Sequence, residues 1–594
     1  MKTNKYFLTI SMLCLTLLLC AQTKKTQNMD EMWGEQALKL NTTNAQRGQL
    51  FLQGNYAMFI HWGLFSKIAG EWKGKTYYGI SEWIMHRNMA NIPIDEYKEV
   101  AKTFIPTKFN AMEIAQLAKD AGMKYIVITS KHHDGFAMYH SKANKFNIVD
   151  ATPYGRDPMK ELADACKSQG IGFGFYYSHN QDWTYPGGTG GPTKDSIGNA
   201  KTFDDYFVEK CLPQVKEITT EYGDIELVWF DTPGNMPKEY AQQLVELVHR
   251  NQPKALVSGR VGYNMGDYRT LGDMEVPDEN VDGLWEAVDV TNDSWGFAHY
   301  DENWKTPKEI LCNLISTIAR GGTYMMNIGP DPDGIVPAKA AKSLRKAGDW
   351  IKKYPQVIYN SDPSPWKHKM PFGDIVAKGN KLFLAVYAWP ANGKIMLPGL
   401  KSNIVSLKLL SNNTSLKLSY KKTGNWTALE LPISAPEKLI SVIEITLNEK
   451  AIVDQTQGID PHQTTILSST FATVENCEKA TKKWMEKFGE WKTIMQISKW
   501  MPNAKATWTV DIAQAGDYIV GLNTAGDGKL VWCVETDEGA IIKNQQPSTS
   551  LYATRPVGWI TFHSSGKHTI TVKLVEGKPE ISSLSAIELI QVEM

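Results

Sequence analysis

The stretch Ile225-Glu226-Leu227-Val228-Trp229-Phe230-Asp231 is a short, mostly apolar run that stops on a carboxylate. A buried strand that ends in Asp sets an acid at the rim of a parallel sheet, where a rigid scaffold holds it against a ligand. The same grammar recurs on either side: a helical stretch, a Gly or turn, an apolar run, then polar or aromatic residues. Met112 to Ala121 reads as a helix, Gly122 breaks it, Tyr125 to Thr129 reads as a strand, and Lys131-His132-His133-Asp134-Gly135-Phe136 follows. Met159 to Gln169, Gly170, Phe173 to Tyr177 and Ser178-His179-Asn180 repeat the pattern. Further strands are expected at Tyr56 to Ile60, Ala255 to Ser258, Met274 to Val276, Leu284 to Val288 and Thr323 to Ile328. Strands that alternate with helices in this way fit an α/β fold of the (β/α)8-like barrel type better than an open doubly wound sheet.

Beyond the barrel the periodicity switches to alternation, as in Lys381 to Ala388, Ile404 to Leu410 and Ile440 to Leu447, which predicts a β-sandwich over 356–450. Asp454 to Gln463 reads as a polar linker, and 464–594 as a further C-terminal β-sandwich module able to bind carbohydrate. The barrel domain is expected over 30–355. Residues 1–21 read as a signal peptide, with Lys2 and Lys5 before the apolar Phe7 to Leu19 and a cleavage site near Ala21, so the protein is expected to be secreted or periplasmic. Lipid anchoring at Cys20 is the lesser alternative, since Leu19 stands where such sites want a small residue. That apolar stretch is too short to span a bilayer.

Composition narrows the function. Lys+Arg 64 against Asp+Glu 64 leaves no net field for nucleic acid or anionic lipid. The 19 Trp and 24 Tyr supply flat faces on which sugar rings stack, although Trp is also a core filler. Cys166, Cys211, Cys312, Cys477 and Cys533 show no CxxC spacing and read as buried thiols. No Gly-x-Gly-x-x-Gly follows the first strand, and Gly187-Gly188-Thr189-Gly190-Gly191 lacks the Lys of a phosphate cradle, so no nucleotide cofactor is expected. Neither is a metal, because His132 and His133 diverge in extended chain and lack a partner at ligand spacing.

What remains is a rim of strand ends: His61, His132, His133, Tyr177, Asp231, Arg260, Glu275, Trp285 and Glu286. Glu275 lies in Gly272-Asp273-Met274-Glu275-Val276-Pro277, and two such acids are the usual equipment for cutting a glycosidic bond. An Asp after a strand can equally be a helix cap, and a His after a strand a hydrogen-bonded core residue. Convergence on one rim favours the chemical reading.

Phe59-Ile60-His61-Trp62-Gly63, Ser81-Glu82-Trp83, Lys131 to Phe136, Tyr176-Tyr177-Ser178 with Asp182-Trp183, Trp229-Phe230-Asp231, Asn292 to Gly296 and Asn327 to Gly334 closely resemble the α-L-fucosidases of glycoside hydrolase family 29. The resemblance spans about residues 45–450 and implies a retaining exo-enzyme that removes terminal α-linked L-fucose through a covalent intermediate. It implies Asp231 as nucleophile, and His61, Glu82, Trp83, His132, His133 and Tyr177 as groups that hold the sugar hydroxyls. Trp229 and Trp295 would pack on the ring or its methyl, and Arg260 would steady Asp231. Glu275 is expected as the acid/base, Glu286 as its alternative and Glu279 as a third candidate. The surroundings of Glu275 resemble the branch that prefers α-1,3 and α-1,4 linkages on fucosylated oligosaccharides or glycoconjugates. A non-catalytic glycan-binding protein on the same fold and a His-metal hydrolase are the competing readings.

Overall fold

The computed structural model describes Met32, Gly34 and residues 54–592, apart from 412–413 and 485–491. The expected signal peptide and Cys20 lie outside the described residues.

Eight parallel strands form the first sheet: β1 (Tyr56–Ile60), β2 (Tyr125–Lys131), β3 (Gly172–Ser178), β4 (Leu227–Asp231), β5 (Leu256–Val257), β6 (Arg269–Asp273), β7 (Trp285–Val290) and β8 (Thr323–Ile328). Their order is β5-β4-β3-β2-β1-β8-β7-β6. The ring closes between β5 and β6 through one bridge, Ser258 to Tyr268. Beside it the Asp267 N–H donates to the Val257 carbonyl at 2.7 Å and the Val257 N–H to Asp267 Oδ2 at 2.8 Å.

Helices coat the ring, and their ends follow local chemistry. Asp157 accepts from the N–H groups of Met159 and Lys160 at the head of helix 158–169, and Gly170 closes it in the left-handed conformation. Thr306 and Glu309 form a capping box around Pro307 at the head of helix 307–319. Strand pleat then sorts side chains into two layers. Leu227 and Trp229 join Phe59, Tyr125, Val127, Tyr176, Val288, Val290 and Met325 inside the ring. Val228, Phe230, Phe175 and Tyr177 belong to the larger core between strands and helices.

Two expected strands sit elsewhere than the periodicity suggested. The sixth runs from Arg269 to Asp273 instead of Met274 to Val276, and a register shift against β7 breaks its alternation. The seventh begins at Trp285 and runs on to Val290, so Trp285 and Glu286 open the strand and lie at the end away from the rim.

A sandwich follows, with a five-stranded sheet in the order 373–378, 381–386, 441–447, 404–411, 414–417 facing a three-stranded one. The last region packs two larger sheets around a separate core that includes Trp508, Trp532 and Ile587. The expected linker is partly structured: Gln457–Ile459 pairs in parallel with Val510–Ile512 and belongs to this last module. The five cysteines are free thiols. Among the described residues no helix is long and apolar enough to cross a membrane.

Candidate active site

A cavity of about 200 Å³ opens at the carboxyl ends of the barrel strands. Its wall holds His61, Glu82, Trp83, His132, His133, Trp229, Asp231, Arg260 and Trp295 from the sequence reading, together with Phe59, Tyr176 and Asp273. A second cavity, about 280 Å³, lies at the seam of the three domains near His368, Trp426 and Gln457, away from these strand ends.

Asp231 closes β4 with its side chain on the lumen side of the pleat and 15% exposed. The Tyr176 hydroxyl donates to its Oδ2 at 2.9 Å and Arg260 Nη1 to its Oδ1 at 3.3 Å. Thr232, the next residue, has φ 50, a left-handed conformation that a β-branched residue adopts only under constraint.

Arg260 stands in the turn 259–261 after β5 and spans the closing seam of the ring. Its Nε donates to Thr270 Oγ1 at 3.1 Å, and its Nη2 to the Leu271 carbonyl at 2.9 Å and to Asp273 Oδ1 at 2.6 Å. The guanidinium carbon lies 4.9 Å over the Trp229 ring. One planar cation therefore holds two strand-end carboxylates at once, a task its fork of donors suits and a lysine could not match. Burial pushes the Asp273 carboxyl above the ordinary range; Arg260 opposes that shift and the neighbouring Asp231 reinforces it.

The remaining polar groups are held neutral. Asn327 donates through Nδ2 to the Trp295 carbonyl at 2.7 Å, which leaves its Oδ1 to accept from His61 Nδ1 at 2.8 Å. His61 thus turns a lone pair at Nε2 toward the cavity, and burial lowers its pKa to about 4. Ser178 donates to the Gln181 carbonyl at 3.0 Å and accepts from His133 Nδ1 at 2.7 Å, so His133 Nε2 is likewise an acceptor, 3.6 Å from Asp231. A ligand hydroxyl between these two acceptors would satisfy either. Burial also holds His132 and His133 well below the usual imidazole range. Glu82 accepts from the Gly296 N–H at 2.9 Å, and burial raises its pKa to about 8. A neutral carboxyl can donate to a ligand as well as accept.

Behind the wall, Asp182 ties Lys131 at 3.2 Å and Lys210 at 2.7 Å. Burial would raise its pKa, but the two ammonium groups overcome that and hold it to about 2. Gly135 makes the turn after the His pair at φ 78, where a Cβ would stand 2.1 Å from Asp182 Oδ1. Among the described residues no group of three or more His, Cys, Asp or Glu side chains could hold a metal.

Five sequence expectations need correction. Glu275 does not line the cavity: the Gly272 N–H donates to its Oε2 at 2.8 Å, and the carboxylate faces Lys483 and Thr493 of the C-terminal module. Glu286 lies inside the ring level with Thr323, the first residue of β8, where its Oε1 accepts from Trp229 Nε1 at 2.7 Å. Trp285 points outward and packs against Gly322. Tyr177 also points outward and donates to Gln214 Oε1 at 2.9 Å. Glu279 lies outside the cavity and bridges to His368. The residues missed are Tyr176, one position along the pleat, and Asp273, which ends β6 as Asp231 ends β4.

A sequence profile described as "Alpha-L-fucosidase" matches residues 20–356, more than half of the chain. The chain belongs to the α-L-fucosidase family. It is similar to the plasma α-L-fucosidase of Rattus norvegicus, with 29% identity over 58% of this chain and 79% of that one. The tissue α-L-fucosidase of Bos taurus is 26% identical over 66% of this chain and 85% of its own. Among solved structures, the α-L-fucosidase from Vibrio sp. strain EJY3 has a TM-score of 0.76 at 27% identity and covers 92% of this chain and 98% of its own. That fucosidase therefore shares the three-part layout. α-L-Fucosidase isoenzyme 1 from Paenibacillus thiaminolyticus covers 70% of this chain and 100% of its own, with a TM-score of 0.59 and 27% identity. The protein is accordingly a glycoside hydrolase of the fucosidase type, with a fucosylated glycan as substrate.

Proposed function

We propose that this fucosidase is a retaining exo-enzyme that releases terminal α-linked L-fucose by double displacement, with Asp231 as nucleophile and Asp273 as acid/base. The observation that carries this reading is the pair of carboxylates on one guanidinium at the wall of the cavity. Retention needs two carboxyls about 5 Å apart, one to attack and one to donate. In the first step an Asp231 oxygen bonds to the anomeric carbon while the carbon–oxygen bond to the aglycone breaks. Asp273 gives its proton to the departing oxygen. In the second step water attacks the same carbon and hands a proton to Asp273, and the ester electrons return to Asp231. Asp273 suits this cycle because burial and the neighbouring Asp231 raise its pKa against the pull of Arg260, which favours a carboxyl that holds its proton until it is delivered.

The neutral wall fits the sugar. His61 and His133 accept from hydroxyls, Glu82 donates or accepts, and Phe59, Trp83 and Trp295 offer apolar faces for the ring and its methyl group. The α-1,3 and α-1,4 preference expected from Glu275 loses its footing, since that side chain does not reach the cavity. A panel of fucosylated oligosaccharides reads the preference directly. Lys2, Lys5 and the apolar Phe7 to Leu19 support export of the enzyme from the cytoplasm.

Asp231→Gly should lower turnover of an aryl α-L-fucoside by about 10³-fold or more, with partial recovery in azide. Asp273→Gly should lose little on a good leaving group and about 10²-fold or more on a poor one. A wild-type rate for Asp231→Gly, or a first-formed sugar of inverted configuration seen by NMR, would refute the proposal.

A further inference from the structure

The loop that follows β6 is held from two directions. Met274 sits at φ 60, a left-handed conformation that a long side chain rarely adopts without outside support. Within the barrel, the Met274 N–H donates to the Val288 carbonyl at 2.9 Å, and the Gly272 N–H to Glu275 Oε2 at 2.8 Å. The other face of the Glu275 carboxylate is occupied by the C-terminal module. There the Thr493 hydroxyl hydrogen-bonds it and the Lys483 ammonium lies in its field. Lys483 and Thr493 are register partners on the antiparallel strands 478–484 and 492–498, and Lys483 Nζ donates to Thr493 Oγ1 at 3.1 Å. Strand 492–498 packs directly on β6.

The directions of these bonds agree along the whole line. Lys483 donates to Thr493, which leaves the Thr493 proton for Glu275, and Glu275 in turn accepts from the backbone of Gly272. Gly272 immediately precedes Asp273. A contact that merely glued two domains could fall anywhere on the barrel surface. This one falls on the residues flanking Asp273, where a small displacement of a proton donor lowers the rate steeply.

We propose that the C-terminal β-sandwich is a working part of the active site: through Lys483, Thr493 and the positioning residue Glu275 it fixes the loop from which Asp273 delivers its proton. The inference rests on Asp273 being the acid. It gives the module a catalytic task in addition to any glycan binding.

Full-length Thr493→Val and Lys483→Met, each checked by circular dichroism for native fold, should be assayed on aryl α-L-fucosides that range from 2,4-dinitrophenyl to 4-methoxyphenyl. Proton donation matters more as the leaving group worsens, so both variants should lose about tenfold in kcat/KM on the methoxyphenyl substrate and less than about twofold on the dinitrophenyl one. Glu275→Gln should show the same steepened dependence. An unchanged series for all three variants, or a uniform loss across it, would overturn the inference. Asp273→Asn separates this failure from failure of the acid assignment. If that variant keeps the wild-type dependence on leaving group, the acid is misassigned and the inference falls with it. If it steepens while the module variants do not, only the inference falls.

Discussion

Glu82 enters the cavity as a neutral acid. Its burial raises the pKa to about 8, and the Gly296 N–H donates to its Oε2. A carboxamide copies that state closely, whereas truncation leaves the Gly296 N–H and a sugar hydroxyl without a partner. Glu82→Gln should therefore lower kcat/KM by about tenfold at most, and Glu82→Ala by about 10²-fold or more, measured on an aryl fucoside at neutral pH. Equal losses in the two variants would show that Glu82 works as an anion. Arg260 is the other residue whose chemistry cannot be exchanged. An ammonium in its place cannot reach Asp231 and Asp273 together while also serving Thr270 and Leu271.

At the scale of the element, strand pleat decides which of two adjacent tyrosines matters. Tyr176 shares the lumen face with Trp229 and bonds Asp231, while Tyr177 faces the helices. Tyr176→Phe should lower kcat/KM by about tenfold or more, and Tyr177→Phe should change it less than twofold while costing about 1 kcal/mol of stability for its lost bond to Gln214. The reverse ranking by steady-state kinetics would mean the strand register is wrong. The start of β7 carries a second consequence. Glu286 is fully enclosed, and burial lifts its pKa from 4.5 to about 8. A carboxyl whose folded pKa is raised contributes most below its unfolded pKa and loses that contribution as pH rises through the folded one. Wild-type stability should thus decline between about pH 4.5 and pH 8 relative to Glu286→Gln, by a few kcal/mol at most. Urea unfolding of both proteins at pH 5 and at pH 8.5 measures the difference, and a gap that does not vary with pH counts against it.

Across the whole molecule, much of this layout was readable because burial leaves a periodic trace. The acid at the end of β4 was legible since Leu227 to Phe230 is unbroken and apolar. Its partner was not, because Arg269-Thr270-Leu271-Gly272-Asp273 contains a cation and a Gly, and its pairing shifts register midway. Placing that strand a few residues late drew attention to Glu275 instead of Asp273, which ends the strand. Ending β7 at Val288, two residues short of Val290, set Glu286 nearer the rim than its place as the second residue of the strand. Strands 478–484 and 492–498 gave little alternation to read, because the first is rich in Lys and exposed or half-buried over 478–483, and the second is evenly half-buried from Lys492 to Gln496.

The ring itself is joined unequally. Between β5, only Leu256–Val257, and β6 there is a single bridge, and Arg260 is the side chain that arches over it to both acids. Warming should part the staves there first, and the catalyst would be disarmed before the barrel as a whole comes undone. Residual turnover should then fade at a temperature several degrees below the loss of helical ellipticity, a gap on the scale of local versus global opening. Coincidence of the two curves would show instead that the joint is as firm as the rest of the wall.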